Sequence, residues 1–256
     1  MKHSITGYCR TAVALGLGLL FIQVAPLHAQ EAEEIIRRVV DNLNGETAIM
    51  EISMVVKTRR AERRMKMKSY SVGQEKSFIR VSYPKKDEGI TFLKIDNAMW
   101  QYVPRIEKVI KIPASMMLQS WMGSDFTNDD LVKESSLSED YLAELLGETE
   151  EEYSLALHPR PEAPVVWGKI VMSVSKKYHL PLLVSYFDEE DVLIRELLYT
   201  DITPYGKRFY PSHWVMTPRT PDKEGHATEI IVSEVIFDGE VDEAYFSKRA
   251  LKRFSN

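Results

Sequence analysis

Alternating side-chain character between residues 83 and 131 constrains the fold more than any other feature of the sequence. In the first two-thirds of this stretch, three short segments change character at every second position: 90–95, 100–102 and 106–112. A period of two is typical of strands whose two faces meet different environments. The pairs at 96–97 and 104–105 are Asp-Asn and Pro-Arg, which suit turns. The pattern therefore predicts three antiparallel strands.

The period changes after Pro113. Met117, Leu118, Trp121 and Met122 recur at helical spacing, and Gly123 is suited to end such a helix. A curved sheet followed at once by short helices rich in Met and Trp is the arrangement expected for an apolar cavity with a lid. Methionine suits a variable apolar guest because its side chain is flexible and polarizable.

A second helix is predicted to begin at Thr127. Asp130 stands three residues later, where it completes a capping box with Thr127, and Phe126 and Leu131 are spaced as a hydrophobic staple. The box carries Asp where Glu is usual.

The string YP…GITFLKI…MWQYVPRIEKVIKI…SWMGSDFTNDDL resembles the outer-membrane lipoprotein-sorting proteins, the group related to the periplasmic carrier LolA. Its most specific part is MGSDF followed by DL, placed after a W-x-Y-x-P strand. The resemblance extends over nearly the whole chain, to the AYFSKRAL ending, and favours the uncharacterised LolA-like branch. It implies a half-open β-barrel with a lid over a cavity that holds acyl chains. An arginine helps to hold the lid in LolA-type carriers, but no position of this sequence can be matched to it.

The rest of the chain predicts a mainly β (α+β) fold. An amphipathic helix is expected at 31–43 and a short helix at 242–254, and residues 136–146 fit either a helix or, by the resemblance, part of a hairpin of 141–149 with 153–158. About eleven strands are expected in one antiparallel half-open barrel with short helices as a lid or plug. Besides the segments above, the strand candidates are 46–58, 65–72, 77–83, 165–174, 182–188, 193–202, 210–217 and 228–237.

The N-terminus has the organisation of a secretory signal. Lys2 and Arg10 are basic, residues 12–24 are apolar, and a small-residue cleavage site ends at Ala29. The apolar run is shorter than the roughly 20 residues that span a bilayer. We therefore expect a signal peptide at 1–29, cleavage near Ala29, and one carrier domain at 30–256 in the periplasm.

Several strands, such as 46–58, are apolar on both faces, and a packed core explains this as well as a cavity does. A stripe of Met and Trp is also more often core than ligand contact. The cavity interpretation therefore depends on the family resemblance. Under it, the ligand-binding residues of the lid and of the sheet beneath are Phe92, Trp100, Met117, Leu118, Trp121, Met122 and Phe126.

Seven basic residues lie between positions 57 and 68, where a hairpin is expected. The structural interpretation is a solvated hairpin that also protects a sheet edge. The functional alternative is a docking patch for an acidic partner or anionic head groups. Its candidate residues are Arg59, Arg60, Arg63 and Arg64.

No catalytic motif is present. The sequence lacks H-E-x-x-H, G-x-S-x-G and a glycine-rich phosphate loop, and its single cysteine, Cys9, falls in the signal segment. A formal net charge of −5 argues against a nucleic-acid partner. A hydrolase with carboxylates paired only in space stays open.

The sequence therefore predicts a non-enzymatic carrier without a cofactor. Its expected partners are an acylated lipoprotein or lipid, an inner-membrane transporter and an outer-membrane acceptor. The alternative is a non-catalytic accessory protein that docks on an inner-membrane exporter of the RND type.

Overall fold

The computed structural model describes residues 25–133 and 137–255. The predicted signal segment therefore lies outside the described residues up to position 24. Within the described part, no helix combines the length and apolarity needed to cross a bilayer. The α-helices are α1 (Ala25–Asn44), α2 (Asn128–Lys133), α3 (Leu137–Asp140) and α4 (Lys248–Arg253).

Thirteen strands form one antiparallel sheet, which confirms the mainly β prediction, although the expected count of eleven was wrong. The two additional strands form the hairpin that the resemblance implied for 141–149 and 153–158. The sequence pattern had also fitted a helix at 136–146. The strands are β1 (Thr47–Lys57), β2 (Glu62–Val72), β3 (Lys76–Tyr83), β4 (Thr91–Ile95), β5 (Ala98–Val103), β6 (Lys108–Lys111), β7 (Tyr141–Glu148), β8 (Glu152–Pro159), β9 (Lys169–Ser175), β10 (Pro181–Phe187), β11 (Leu193–Tyr205), β12 (Arg208–Pro218) and β13 (Ala227–Phe237).

The strand order shows that the sheet consists of two meanders joined at its centre. From β1 the chain runs outward strand by strand to β6 at one edge, and from β7 at the other edge it returns to β13, which pairs with β1. The segment between β6 and β7 must therefore connect opposite edges of the sheet. It contacts β2, β4, β11 and β13 on its way, so it passes across one face of the sheet.

That face carries the main apolar cluster. Alternate residues of β1, namely Met50, Ile52, Met54 and Val56, belong to it or pack against it, as their alternation in the sequence predicts. Helix α1 adds Ile35, Ile36, Val39 and Val40, all at most 4% exposed. The predicted amphipathic helix is thus confirmed, and it packs against β7, β12 and α3. We call this face the inner face.

The opposite, outer face of β3–β5 is covered by the C-terminal helix. Phe78, Leu93 and Tyr102 pack there with Phe246, Ala250 and Leu251. Helix α4 therefore covers the outer face of the first meander. A cavity of the kind predicted can then lie only on the inner face of these strands.

Candidate functional site

The predicted lid segment, residues 113–133, departs from the predicted helix in its first half. It forms two short 3₁₀ turns, Ala114–Met116 and Trp121–Gly123, with Ser120 between them in a non-helical conformation (φ −54°, ψ 121°). The helical spacing of Met117, Leu118, Trp121 and Met122 is therefore not realised as one face. Leu118 is 59% exposed, whereas Met117 and Met122 pack against the inner apolar cluster. The expectation that Leu118 shares a buried face with them was wrong.

Trp121 and Phe126 of the lid both belong to the inner cluster. They are 3% and 7% exposed. The Trp121 ring meets Phe92 of β4 edge-on at 5.3 Å between centroids, so the predicted lid residue does lie over the predicted sheet residue. The Trp121 Nε1 is buried and finds no acceptor among the described residues.

The second half of the lid is the helix α2, and its predicted cap is confirmed. The Thr127 amide and hydroxyl donate to Asp130 Oδ2 at 2.7 and 2.9 Å, and the Asp130 amide donates to Thr127 Oγ1 at 3.2 Å. The Asn128 side chain and the Asp129 amide also donate to the carbonyls of Met116 and Met117. These bonds fold the two halves of the lid onto each other.

Arg63 of β2 fastens the middle of the lid to the sheet. Its Nη2 donates to the Met122 carbonyl. Met122 has a φ of +52°, and Gly123 follows at +71°. A Cβ at position 123 would stand 3.0 Å from Arg63 Nη2, so glycine serves both the backbone conformation and the approach of the arginine.

Asp125 fastens the lid to β13. Its amide donates to Thr228 Oγ1 at 2.9 Å, and that hydroxyl donates to Asp125 Oδ2 at 2.8 Å. Thr228 is fully buried, and Lys223 Nζ lies 3.4 Å from Asp125 Oδ1. This reciprocal pair gives the lid a fixed position against the centre of the sheet.

Arg195 of β11 fastens α2 to the second meander. Its guanidinium makes a two-point ion pair with Asp130, with Nη1 2.8 Å from Oδ2 and Nη2 bonded to Oδ1. Nη1 also donates to the Asp125 carbonyl at 3.3 Å. The guanidinium carbon lies 4.4 Å from the Trp167 ring centroid and 4.6 Å from that of Tyr186. Arg195 is only 4% exposed, so the pair is held in a low-dielectric setting.

Two cavities lie along the inner face of the sheet, and the larger one also borders α1. The smaller, about 40 Å³, is lined by Phe126, Leu137, Tyr141, Trp167, Tyr186, Leu197 and Met216, among others. The larger, about 190 Å³, is lined by Val40, Leu43, Met50, Ile52, Ile79 and Trp214, among others. Asp129 and Asp130 of α2 line the smaller cavity, and the next residue, Leu131, lines the larger one. Helix α2 is thus part of the wall of each.

Comparisons with known proteins agree with this architecture. A family model described as an uncharacterized protein matches residues 73–253. The chain is similar to a crystal structure of a DUF1329 family protein from Desulfovibrio piger, with 22% identity, 88% and 99% of the two chains covered, and a TM-score of 0.80. It is also similar to a putative outer membrane lipoprotein-sorting protein domain from Vibrio parahaemolyticus, with 24% identity, 88% and 100% covered, and a TM-score of 0.76.

A LolA superfamily protein from Nitrosomonas europaea is similar over 85% of this chain and 98% of its own, at 17% identity and a TM-score of 0.71. The chain belongs to the family whose model matches residues 73–253, and it has the LolA-like fold. No functionally curated protein matches it. The fold of the LolA-like proteins is therefore established for this chain, and the cargo is a separate question.

One predicted site residue of this LolA-like protein lies on the wrong side of the sheet. Trp100 pairs with Leu93 across β4 and β5 and packs in the outer cluster, where Lys248 Nζ stands 4.8 Å from its ring centroid. Phe92 pairs with Gln101 and faces inward. Because cross-strand partners share a face, Trp100 lies on the outer face together with Leu93.

The predicted basic patch is largely engaged within the molecule. Lys57, Arg64 and Lys68 form ion pairs with Glu229, Glu62 and Glu51, and Arg63 contacts the lid. Arg59 and Arg60 are exposed at the tip of the β1–β2 hairpin. The four arginines predicted as one docking patch therefore have different roles. Arg63 contacts the lid, Arg64 forms an ion pair, and Arg59 and Arg60 are exposed at the hairpin tip.

The inner residues Trp167, Tyr186, Arg195 and Met216 were not singled out from the sequence. Their only local signal is strand alternation, which does not show which strands meet the lid.

Burial, followed by the nearby carboxylates of Asp140 and Asp129, raises the pKa of Tyr141 above its ordinary value, so its hydroxyl stays protonated at neutral pH.

His158 and His213 each contact a neighbouring polar side chain. His158 lies 3.4 Å from Glu144, and His213 Nδ1 lies 3.2 Å from the Thr200 hydroxyl. Across 25–133 and 137–255, no three side chains of the ligating types converge as a metal site.

Proposed function

We propose that this LolA-like protein is a periplasmic carrier that binds the acyl chains of lipoproteins or lipids on its inner face and transfers them toward the outer membrane. The observation that carries the proposal is the continuous inner apolar cluster with two cavities, both bordered by the short lid helix α2. The resemblance to a putative outer membrane lipoprotein-sorting domain supports the same interpretation.

The energetics of an acyl chain favour an enclosed site. Each methylene removed from water contributes about 0.8 kcal/mol, so a chain of about sixteen carbons requires shielding worth roughly 10 kcal/mol. A carrier that covers the chain with the inner cluster can supply this, whereas an exposed apolar patch leaves one side of the chain in water. No catalytic step is needed.

Loading requires the lid to move. Cavities of about 40 and 190 Å³ are both below the roughly 300–1,000 Å³ of typical small-molecule sites. Because α2 borders both, its displacement would join them into one channel along the inner face. The contacts of Arg63, Asp125 and Asp130 then set the free energy of opening, and a partner that favours the open state drives release.

Native mass spectrometry of protein isolated from periplasm without detergent, followed by organic extraction, tests the proposal. We expect a stoichiometric acylated peptide or lipid, which would also identify the cargo class. A protein that is empty and also fails to bind a fluorescent fatty-acyl probe would contradict the carrier function.

A matched pair of variants locates binding on the inner face. Ile52 is half-buried and lines the larger cavity, whereas Ile231 on neighbouring β13 is 39% exposed. We expect Ile52→Gln to weaken acyl-probe binding by roughly tenfold, since a buried polar group costs on the order of 1–3 kcal/mol. Ile231→Gln should leave the affinity unchanged. Equal effects of both would place the site elsewhere.

The second candidate function is an accessory protein that docks on an inner-membrane exporter. The exposed Arg59 and Arg60 at the hairpin tip are the observation that favours it. A pull-down from membranes with wild type, Arg59→Glu/Arg60→Glu and Ile52→Gln distinguishes the candidates. Recovery of a transporter that requires the arginines but not Ile52 would support docking as the primary function.

A further inference from the structure

We propose that the Asp130 carboxylate occupies an anion-binding site on the sheet, and that an anionic group of the cargo takes its place when α2 moves. The inference rests on the proposed carrier function and adds a cargo class to it: amphiphiles in which an acyl chain adjoins a carboxylate or phosphate. The site consists of Arg195, Trp167 and Tyr186.

The aromatic contacts of the site come from outside the lid. The Trp167 and Tyr186 rings contact each other at 5.2 Å between centroids, and the Arg195 guanidinium carbon lies against both, 4.4 and 4.6 Å from their centroids. Arginine is weakly hydrated and stacks well on aromatic faces, so this arrangement fixes the orientation of its donors. The fixed donors present the two-point geometry that matches a carboxylate or phosphate.

The present ligand of that site comes from the lid. Asp130 offers both carboxylate oxygens to Arg195, and Oδ2 also accepts from Thr127. Loss of the arginine contact would release α2 from the second meander, while the contacts to Thr127 would still cap the helix. An incoming anion therefore competes with the lid for Arg195, and cargo binding is coupled to opening.

The surroundings of the site define the rest of the ligand. The smaller cavity borders Trp167, Tyr186 and Asp130, and most of its other lining side chains are apolar, such as Phe126 and Leu197, although Asp129 and Tyr141 also line it. A molecule that places its anion at Arg195 thus has its apolar part beside this cavity. If a neutral head group displaced Asp130, the buried Arg195 guanidinium would lose the negative charge of that carboxylate and gain no other. Such a loss at a buried charge is costly.

Two probes of equal chain length test the inference: dodecanoate and 1-dodecanol, each below its aggregation limit and measured by displacement of 1-N-phenylnaphthylamine at pH 8. We expect wild type to favour dodecanoate by threefold or more. Asp130→Asn should tighten dodecanoate binding by roughly tenfold, the scale of one charge-assisted contact, and should tighten 1-dodecanol binding less.

The double variant Asp130→Asn/Arg195→Gln removes the site without leaving either charge buried alone. It should bind both probes with equal affinity. The control is Arg208→Gln. Arg208 also pairs with an aspartate, Asp238, and lies over an aromatic ring, that of Phe237, so this variant should retain the wild-type preference for dodecanoate.

Three outcomes are distinct. Equal binding of the two probes by wild type and Asp130→Asn would overturn the anion site while leaving an acyl carrier. A dodecanoate preference that survives in the double variant would also overturn it. Binding of neither probe by any variant would contradict the carrier function itself, on which the anion site depends.

Discussion

The Trp121 indole of the lid packs edge-on against the Phe92 ring of β4, with the centroids 5.3 Å apart. These two residues are 29 positions apart in the chain, on a lid turn and on a central strand of the first meander. Their contact fixes the first half of the lid over the inner face, as Arg195 and Asp130 fix the second half. The lid is thus held at both ends by different chemistry, one contact apolar and the other ionic.

The first prediction concerns Trp121. Trp121→Ala should lower the free energy of unfolding by about 3–5 kcal/mol, because it removes a buried ring and leaves a cavity. Trp121→Phe should cost less than about 1.5 kcal/mol, since it keeps the edge-on contact and removes the buried Nε1, which has no acceptor in the described part of the chain. Urea denaturation measures both. Equal costs would show that the ring contact does not stabilise the lid.

Arg63 is predicted to set how often the lid opens. Arg63→Met keeps the aliphatic packing but removes the bond to the Met122 carbonyl, so amide hydrogen exchange at 121–126 should accelerate by about tenfold. Arg64→Met on the same strand is the control, because Arg64 is exposed and pairs with Glu62. Similar exchange in the two variants would mean that the Arg63 contact does not restrain the lid.

The reciprocal bonds of Asp125 and Thr228 give a third prediction. Thr228→Val keeps the shape but leaves the buried Asp125 amide and carboxylate without the hydroxyl, at a cost of about 1–3 kcal/mol. Thr228→Ser retains the hydroxyl and should cost clearly less. Thermal unfolding of the two variants measures the difference. A valine variant at least as stable as the serine variant would contradict the stabilising role of the hydroxyl.

Asp238 gives a pH-dependent prediction. Hydrogen bonds from Arg208, and then from the Glu46 amide, lower the pKa of Asp238 below its ordinary value. The folded state therefore gains stability from the ionised carboxylate above the ordinary pKa of about 3.9, and loses it as the pH falls through the lower folded value. The difference in unfolding free energy between wild type and Asp238→Asn should be constant near neutrality and shrink below about pH 4. A difference that stays constant down to pH 2 would contradict this assignment.

Local sequence rules were sufficient where the interacting residues are close in the chain. The capping box of Thr127 and Asp130 spans three positions, and the alternation of β1 identifies its inward residues, so both predictions are confirmed. The same rules failed at 117–122. There the carbonyls of Met116 and Met117 bond to Asn128 and Asp129 instead of continuing one helix, because tertiary contacts compensate for the lost helical bonds.

The sequence by itself determined the secondary structure of most strands, the amphipathic helix α1 and the lid cap, since periodicity and capping act over a few residues. Only the tertiary structure decided that Trp100 faces outward, that Arg63 reaches the lid, and that Arg195 contacts Trp167, Tyr186 and Asp130. The physical reason is the strand order. Two meanders that meet at β1 and β13 force the connector across the inner face, and this brings it into contact with residues 59 and 65 positions away in the chain.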